Sequence, residues 1–377
     1  MAAKIPVAFP RETSTVSMMS FGFDPFVGEW SAWHGAQTAV LSSLAKIVCI
    51  GGNAASCRLS FQEYFGRAVD EKTWGYPAAA LLGALDAQKK TGCASIGGKD
   101  SMSGTFENIN VPHTLVSFAV THDEAKQVTS GSFKKAGSAI YFVGTPYSPL
   151  LAPDFTAFMQ NAASLYRLNA AGKIRAMYPV GPGGIAEAVT KMFMGNGIGS
   201  RIDAVPLSFT RSRLSGAKAS SADLFTPQYG SIIVEAAIGA EGEIDTAGFA
   251  PGTIIKIGET IREREIVVED IKAGIPLTRI PLDAAEKAWE SKLAEVFPPV
   301  SHQKAQDALL PFALAEHPSL SDVRQSVSLG KKSFAAPTKK VRVLIPVFPG
   351  TNCEYDMARA FAVAGAETKI AVFANNT

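Results

Sequence analysis

One short segment contains side chains suited to binding a nucleotide phosphate and its metal ion. An apolar run that ends at Ile96 is followed by Gly97, Gly98, Lys99, Asp100, Ser101 and Ser103. Paired glycines allow close backbone approach, so that successive amides can converge on an anion. The lysine supplies a charge for phosphate, the aspartate a hard oxygen ligand for Mg²⁺, and the serines neutral hydrogen bonds. The segment therefore predicts a phosphate-binding loop, with a solvated turn between two strands as the alternative.

Strands and helices alternate around this segment. Strand-like runs occur at 15–23, 57–61, 93–96 and 114–120, and helical patterns at 35–48 and 77–90. The second helix has Pro77 near its start and Gly92 just past its end. This order predicts α+β or α/β layers with ligand-binding groups at the ends of strands.

The remaining sequence predicts a second block of α/β type and a third, shorter one. Strands are expected at 139–143, 231–235 and 253–257, and helices at 154–168, at 183–194 with Gly195 as its cap, and at 282–296. Residues 300–340 are polar and contain three prolines, which predicts a linker with one short helix at 306–315. A buried parallel strand at 341–347, a helix at 354–364 and a strand at 369–373 then follow.

Composition limits the classes of function. With 377 residues, of which 47% are hydrophobic, the chain is long enough for two or three globular domains. Its 36 Lys and Arg against 34 Asp and Glu give a formal charge of +2, which argues against a nucleic-acid partner. The four cysteines lack metal-ligand spacing, so we expect buried free thiols and a reducing cytoplasm. Neither a signal peptide nor a membrane span is predicted.

Several segments share their order with a known enzyme family. They lie at 12–25, 33–36, 58–65, 94–104 and 111–118, and a further one at 343–354 reads VLIPVFPGTNCE. Together they resemble the second half of the synthetase region of large phosphoribosylformylglycinamidine synthase, followed by the first strand and turn of its class I glutaminase domain. The resemblance covers nearly the whole chain.

The resemblance implies a fold and a domain order. It implies PurM-type N-terminal and C-terminal domains at 1–130 and 131–300, a linker at 301–340, and the start of a flavodoxin-like glutaminase domain at 341–377. The family's glutaminase cysteine, histidine and glutamate would lie beyond Thr377, and Cys353 does not match that nucleophile. We therefore expect a fragment that lacks the first synthetase half and most of the glutaminase, and that is inactive alone.

The resemblance also implies a reaction and its site. The family converts formylglycinamide ribonucleotide to the amidine with ATP, Mg²⁺ and ammonia from glutamine. Asp100 then becomes the expected metal ligand. The expected ATP or substrate contacts are His34, Gln62, Gly97, Gly98, Lys99, Ser101, Ser103, Gly183 and Gly184.

Departures from the family pattern weaken some of these assignments. Related enzymes have an acidic, hydroxyl-bearing segment before the paired glycines, where this chain has YPVGP at 178–182. Ser42 and Lys46 stand where some members place metal ligands. We therefore expect Gly183 and Gly184 to serve tight helix packing. For His34 a capping or packing role is favoured, and Glu63 is either a ligand contact or solvated.

Two other functions remain open. One is a related PurM-type ATP-dependent enzyme, such as aminoimidazole ribonucleotide synthetase, selenophosphate synthetase or thiamine-monophosphate kinase, although the glutaminase start argues against these. The other is a non-catalytic scaffold that holds an active site on a partner half.

Overall fold

The computed structural model describes residues 1–7, 11–203, 224–270, 275–297, 341–348 and 350–373. The chain divides into two compact units, Met1–Pro298 and Pro299–Thr377. The predicted linker at 301–340 and its helix lie outside the described residues. The predicted division of the first unit near residue 130 stays a prediction.

A five-stranded sheet and three helices form the first part of the first unit. The strands are β1 (Ala2–Lys4), β2 (Thr15–Gly22), β3 (Arg58–Tyr64), β4 (Ser95–Ser101) and β7 (Thr114–Glu124), and a small hairpin contains β5 (Thr105–Phe106) and β6 (Ile109–Asn110). The helices are α1 (Pro25–Trp30), α2 (Ala32–Cys49) and α3 (Glu71–Thr91). The sheet order is β1-β2-β7-β3-β4. Only β3 and β4 are parallel, and β4 forms an edge.

Helix α2 is the centre of the first unit's core. The predicted helical spacing is confirmed, and Ala36, Val40 and Leu44 are fully buried. The helix packs against the five-stranded sheet and also contacts α3 and a strand of the second sheet. A helix that is apolar on nearly all sides must be buried on nearly all sides. The sequence of α2 therefore places it between layers.

Helix α3 begins earlier than its sequence pattern predicted. Asp70 and Thr73 form a capping box, in which the Asp70 side chain accepts from the Thr73 amide at 2.8 Å. The helix therefore starts at Glu71, and Pro77 lies inside it, not near its first turn. Its end agrees with the prediction, since Gly92 adopts the left-handed conformation that ends helices.

A seven-stranded sheet forms the rest of the first unit. Its strands are β8 (Ala139–Val143), β9 (Ile174–Pro179), β10 (Gly199–Asp203), β11 (Ile232–Ala236), β12 (Ile254–Ile261), β13 (Glu265–Asp270) and β14 (Ile275–Pro281), in the order β14-β13-β10-β12-β8-β11-β9. The helices are α4 (Phe155–Ala170), α5 (Gly184–Asn196), α6 (Glu241–Asp245) and α7 (Leu282–Ser291). Helix α5 ends at Gly197, not at the predicted Gly195, because Gly197 has the positive φ. Helix α7 is shorter than predicted.

The second unit contains β15 (Arg342–Val347), α8 (Glu354–Val363) and β16 (Glu367–Val372). The two strands are parallel, as predicted. The predicted burial of β15 is wrong for most of its side chains, since Ile345 alone among them is buried in the described part of this unit. Cys353 is also exposed, not buried, because it lies at the N-terminal cap of α8.

No helix in the described ranges is long and apolar enough to cross a membrane.

Candidate functional site

The central segment is a strand and not the predicted loop. Residues 95–101 form β4, and Gly98 pairs with Phe61 of β3. A Cβ atom on Gly98 would lie 2.3 Å from the Phe61 carbonyl oxygen, so this position requires glycine for close strand approach. The predicted loop conformation is therefore wrong, and contact of Gly97 and Gly98 with a ligand stays a prediction.

The register between β3 and β4 divides the predicted site residues between two faces of the sheet. Gln62 pairs with Lys99, and Glu63 pairs with Asp100. Because successive side chains in a strand point to opposite faces, Glu63 and Asp100 share one face and Gln62 and Lys99 share the other. Glu63 lies on the face that also buries Leu59 and Phe61, which is the face covered by helices.

Glu63 is the most unusual side chain of this region. It is 1% exposed, and within the described part of the chain neither of its carboxylate oxygens has a hydrogen-bond partner of good geometry. Burial, together with the nearby charge of Asp100, raises the pKa of Glu63 to about 8. Asp100 is exposed at the edge strand. The solvated role for Glu63 is therefore wrong.

Two carboxylates at the carboxyl ends of neighbouring parallel strands fit a divalent cation. Mg²⁺ is usually held by one or two carboxylates, with waters and substrate phosphates completing its coordination. A buried carboxylate without donors also lacks the compensation that burial of a charge requires. Within the described residues there is no cluster of three or more His, Cys, Asp or Glu arranged for a metal. The pair thus suits a cation that arrives with a phosphate ligand.

The opposite face of β3 and β4 contains the neutral and basic groups. Lys99, Ser101 and Gln62 lie there with Tyr64, whose hydroxyl donates to the Gln62 amide oxygen at 2.6 Å. Ser103 follows the end of β4 and is exposed. Because β4 is an edge strand, a ligand at that edge can reach side chains on both faces.

Two cavities bear on where a ligand could bind. One of about 400 Å³ lies beyond the carboxyl end of β3 and is lined by Arg67, Tyr76 and His113 among others. A larger cavity of about 660 Å³ is nearly all apolar and lies between α5 and α7. We favour the smaller cavity as the neighbour of the carboxylate pair because its lining is more polar and it adjoins β3.

His34 has partners for both ring nitrogens. Its Nδ1 lies 2.8 Å from the Ser31 hydroxyl oxygen, and its Nε2 lies 2.9 Å from the Leu150 carbonyl oxygen. A carbonyl only accepts, so Nε2 carries the proton and donates. Ser31 also caps α2. This geometry favours the packing role, and a ligand contact for His34 stays a prediction.

Gly183 and Gly184 lie at the start of α5. The Gly183 amide, which could otherwise bind an anion, already donates a hydrogen bond within the chain. The Gly183 amide donates to Glu187 Oε2 at 2.7 Å, and Glu187 Oε1 pairs with Lys191 Nζ at 2.5 Å. Gly184 has a φ of 69°, and a Cβ there would lie 2.4 Å from the Leu224 carbonyl oxygen. Both observations favour helix packing over nucleotide binding.

Lys46 is also engaged within the chain. Its Nζ donates to the Phe21 carbonyl oxygen at 2.8 Å and lies 4.5 Å from the centre of the Phe21 ring. Burial, with a smaller effect of Lys191, lowers the pKa of Lys46. An ammonium group here is no metal ligand, in agreement with the departure noted in the sequence.

Sequence reasoning underrated Glu63, although a signal for its burial was present. Leu59, Phe61 and Phe65 are apolar at alternate positions, and Glu63 occupies the same phase of that alternation. The pattern thus indicated a carboxylate on the buried face.

Comparison with known proteins gives matches for both units. Residues 340–377 match the family described as CobB/CobQ-like glutamine amidotransferase domain. Phosphoribosylformylglycinamidine synthase subunit PurL of Thermoplasma volcanium is 27% identical over 277 residues, which are 69% of this chain and 34% of the relative. The corresponding subunit of Thermoplasma acidophilum is 23% identical over 308 residues, 77% of this chain and 39% of the relative. The chain thus spans little more than a third of these relatives.

Solved structures of Thermotoga maritima PurL have a similar fold. The complex with ATP has a TM-score of 0.58 at 12% identity, covering 75% of this chain and 47% of the other. The complex with FGAR has a TM-score of 0.57 at 12% identity, covering 72% and 46%. The predicted mixed α/β fold is thereby confirmed, as is the presence of a glutamine amidotransferase domain near the C-terminus. Together these comparisons confirm the resemblance to phosphoribosylformylglycinamidine synthase that the order of the sequence motifs indicated.

Proposed function

We propose that this chain supplies the second synthetase half of a phosphoribosylformylglycinamidine synthase and binds Mg²⁺-ATP at the β3–β4 edge. The observation that carries the proposal is the register that sets Glu63 beside Asp100, with both Glu63 oxygens unpartnered. The curated relatives support it, since their names give this synthase. The Thermotoga structures with ATP and with FGAR give the corresponding ligands.

Each group has a defined part in the proposed site. Asp100 and Glu63 would hold Mg²⁺, which when bound offsets charge on the transferred phosphoryl group. Lys99 would pair with a phosphate oxygen from the other face, and Ser101 and Gln62 would donate neutral hydrogen bonds. The buried position of Glu63 fixes one side of the site before the ligand binds, and such preorganisation is the main electrostatic contribution of a protein to catalysis.

The proposed reaction follows that of the relatives. ATP would activate the amide oxygen of formylglycinamide ribonucleotide, and ammonia from glutamine would then displace the phosphate. The ammonia would come from the glutaminase to which residues 340–377 belong. A partner first half would complete the site, and the protein would act in the cytoplasm.

Isothermal titration of the full chain with Mg²⁺-ATP tests the proposal. Asp100→Asn should weaken binding at least tenfold, about 1.4 kcal/mol. Asp283→Asn is the matched control. Asp283 is exposed on helix α7, which belongs to the part of the first unit that contains the seven-stranded sheet. Circular dichroism should show that both variants are folded. Equal binding by wild type and Asp100→Asn would contradict the metal role of Asp100.

A scaffold without a nucleotide site is the second candidate. Glu187 on α5 and Lys46 on α2 already have hydrogen-bond partners within the chain. This favours a scaffold role for that part of the first unit. No binding of Mg²⁺-ATP to wild type or variant would leave this candidate standing for the β4 edge as well.

The open face of the five-stranded sheet supports the proposed partner half. Met19 and Phe21 are 48% and 50% exposed, and Phe118 lies beside Phe21 with ring centres 6.5 Å apart. Exposed apolar patches of this kind mark interaction surfaces. We therefore expect the isolated chain to self-associate in light scattering and Met19→Glu to reduce that association. A wild-type monomer of 39.8 kDa at high concentration would contradict this expectation.

A further inference from the structure

Two buried cysteines, Cys57 and Cys93, lie just before the amino ends of the neighbouring strands β3 and β4. Leu59 pairs with Ser95, and the Leu59 amide donates to the Ala94 carbonyl at 3.0 Å. Cys57 and Cys93 each lie two residues before this pair, just outside the two strands. Both are fully buried, on the helix-covered side of the sheet.

The hydrogen bonds of the two thiols independently show that they are neighbours. The Cys57 sulfur lies 3.6 Å from the Asn53 carbonyl oxygen, and the Cys93 sulfur lies 3.2 Å from the Ala54 carbonyl oxygen. The Cys57 amide also donates to the Ala54 oxygen, at 3.1 Å. One carbonyl thus contacts both cysteines, and the two sulfurs lie against adjacent peptide units of one turn.

We propose that Cys57 and Cys93 form an oxidisable dithiol that closes to a disulfide linking β3 and β4. The paired strands that follow the two cysteines lie about 4.8 Å apart, and disulfides span roughly 4.4–6.8 Å between Cα atoms, so the chain brings the two thiols within bridging range. With a peroxide as oxidant, the first thiol loses a proton and its sulfur attacks the O–O bond, giving a sulfenic acid and one water. The second thiol then displaces the hydroxyl group as another water. Two thiols thus lose two electrons, and hydrogen peroxide gains them.

Burial makes this reaction slow in the closed protein. It raises the pKa of Cys57 to about 12, with the neighbouring Cys93 adding to the effect, so little thiolate exists at neutral pH. Because β4 is an edge strand, local opening of that edge is the expected route to the thiols. Oxidation should therefore report opening of the same strand pair whose other end contains Glu63 and Asp100.

Peptide mapping of the full chain tests the inference. Cys353, which is exposed, is replaced in a Cys353→Ser background, so that three cysteines remain. After treatment with hydrogen peroxide, alkylation in denaturant should label one thiol, where the untreated protein has three. Trypsin should then release residues 47–58 linked to residues 91–99, and dithiothreitol should separate them. Urea below the unfolding transition should speed the oxidation.

Two controls keep the test decisive. Cys49 lies in the same tryptic peptide, 47–58, as Cys57. The Cys49→Ala variant leaves Cys57 as the one cysteine in that peptide. If this variant fails to fold, fragment ions of the wild-type peptide identify the linked residue. The oxidised chain should unfold at a higher temperature than the reduced chain, since a cross-link restricts the unfolded state. Cys57 and Cys93 that both stay alkylatable, that form sulfinic acids, or that link to Cys49 instead would overturn the proposal.

Discussion

Two glutamates are buried to the same depth in the two sheets of the first unit, yet their carboxylates have opposite surroundings. Glu235 of β11 is fully buried and accepts hydrogen bonds from the amides of Lys134 and Lys135, at 2.7 and 3.0 Å. Glu63 of β3 is 1% exposed, has no backbone donor among the described residues, and faces a second carboxylate, that of Asp100, with which it can share a proton. Burial raises the pKa of both glutamates, but backbone hydrogen bonds offset part of that effect at Glu235, whereas Glu63 lacks this compensation and suits a proton or a cation.

The largest expected loss of stability on mutation is at Glu235, whose carboxylate accepts two backbone hydrogen bonds. Glu235→Ala should lower the free energy of unfolding by about 3 kcal/mol, because two partly buried backbone amides lose their charged acceptor. Glu235→Gln, which keeps one acceptor oxygen, should lose about half as much. Urea unfolding followed by circular dichroism measures both. A loss below about 0.5 kcal/mol for the alanine variant would show that the donors do not matter, and the comparison would fail.

The start of α5 should be the next most sensitive place. Gly184→Ala should cost about 2–3 kcal/mol, because it adds a left-handed residue and a contact with the backbone at Leu224. Gly172→Ala is the matched control. It has a similar φ of 71° but no atom within 4 Å of the added methyl, so it should cost about 1 kcal/mol. Equal losses in the two variants would remove the packing explanation for Gly184.

Glu63 should show the opposite response to mutation, with a pH dependence. Its folded pKa of about 8 lies above the ordinary value of 4.5, so the folded state binds more protons between these values. Stability from this group is therefore complete below about pH 4.5 and is lost as the pH rises through 8. Glu63→Gln should be close to wild type in stability near pH 5 and become progressively more stable than wild type as the pH rises to 9.

Thermal unfolding at several pH values measures this difference. Asp283→Asn, an acid-to-amide change at an exposed position, serves as the control. A Glu63→Gln protein that is less stable than wild type at pH 9 would mean that Glu63 has stabilising partners after all.

The smallest effect is expected at Glu187. Glu187→Ala removes the acceptor of the Gly183 amide and the partner of Lys191, both partly solvent-accessible, so we expect a loss of about 1 kcal/mol. Addition of 0.5 M salt should reduce the difference between wild type and variant, since the ion pair is screened. An unchanged unfolding midpoint in the variant would show that the helix start does not depend on its internal carboxylate.

Local patterns were enough to predict much of the fold. The apolar spacing of α2 and the glycine after α3 depend on nearby residues only, and both agree with the structure. The start of α3 was missed because Pro77 was given more weight than the capping pair Asp70 and Thr73. The expected order of domains came from the resemblance, because the spacing of apolar residues does not contain it, and it stays a prediction.

The site was less predictable because register decides it. The sequence of Gly97–Ser101 by itself predicted a loop. The segment is a strand because it pairs with β3. That pairing also separates Lys99 from Asp100, although they are adjacent in sequence. Contact between residues as distant as Glu63 and Asp100 depends on the whole sheet, which short-range patterns do not specify.

Proton release on ligand binding tests the central claim most directly. At pH 7 a Glu63 with a pKa near 8 is mostly protonated, so binding of Mg²⁺-ATP should release close to one proton from it. Titration calorimetry in two buffers of different ionisation enthalpy measures that number for wild type and Glu63→Gln. The account predicts release of nearly one proton more by wild type than by the variant. Equal proton release by the two proteins, with binding intact, would contradict it.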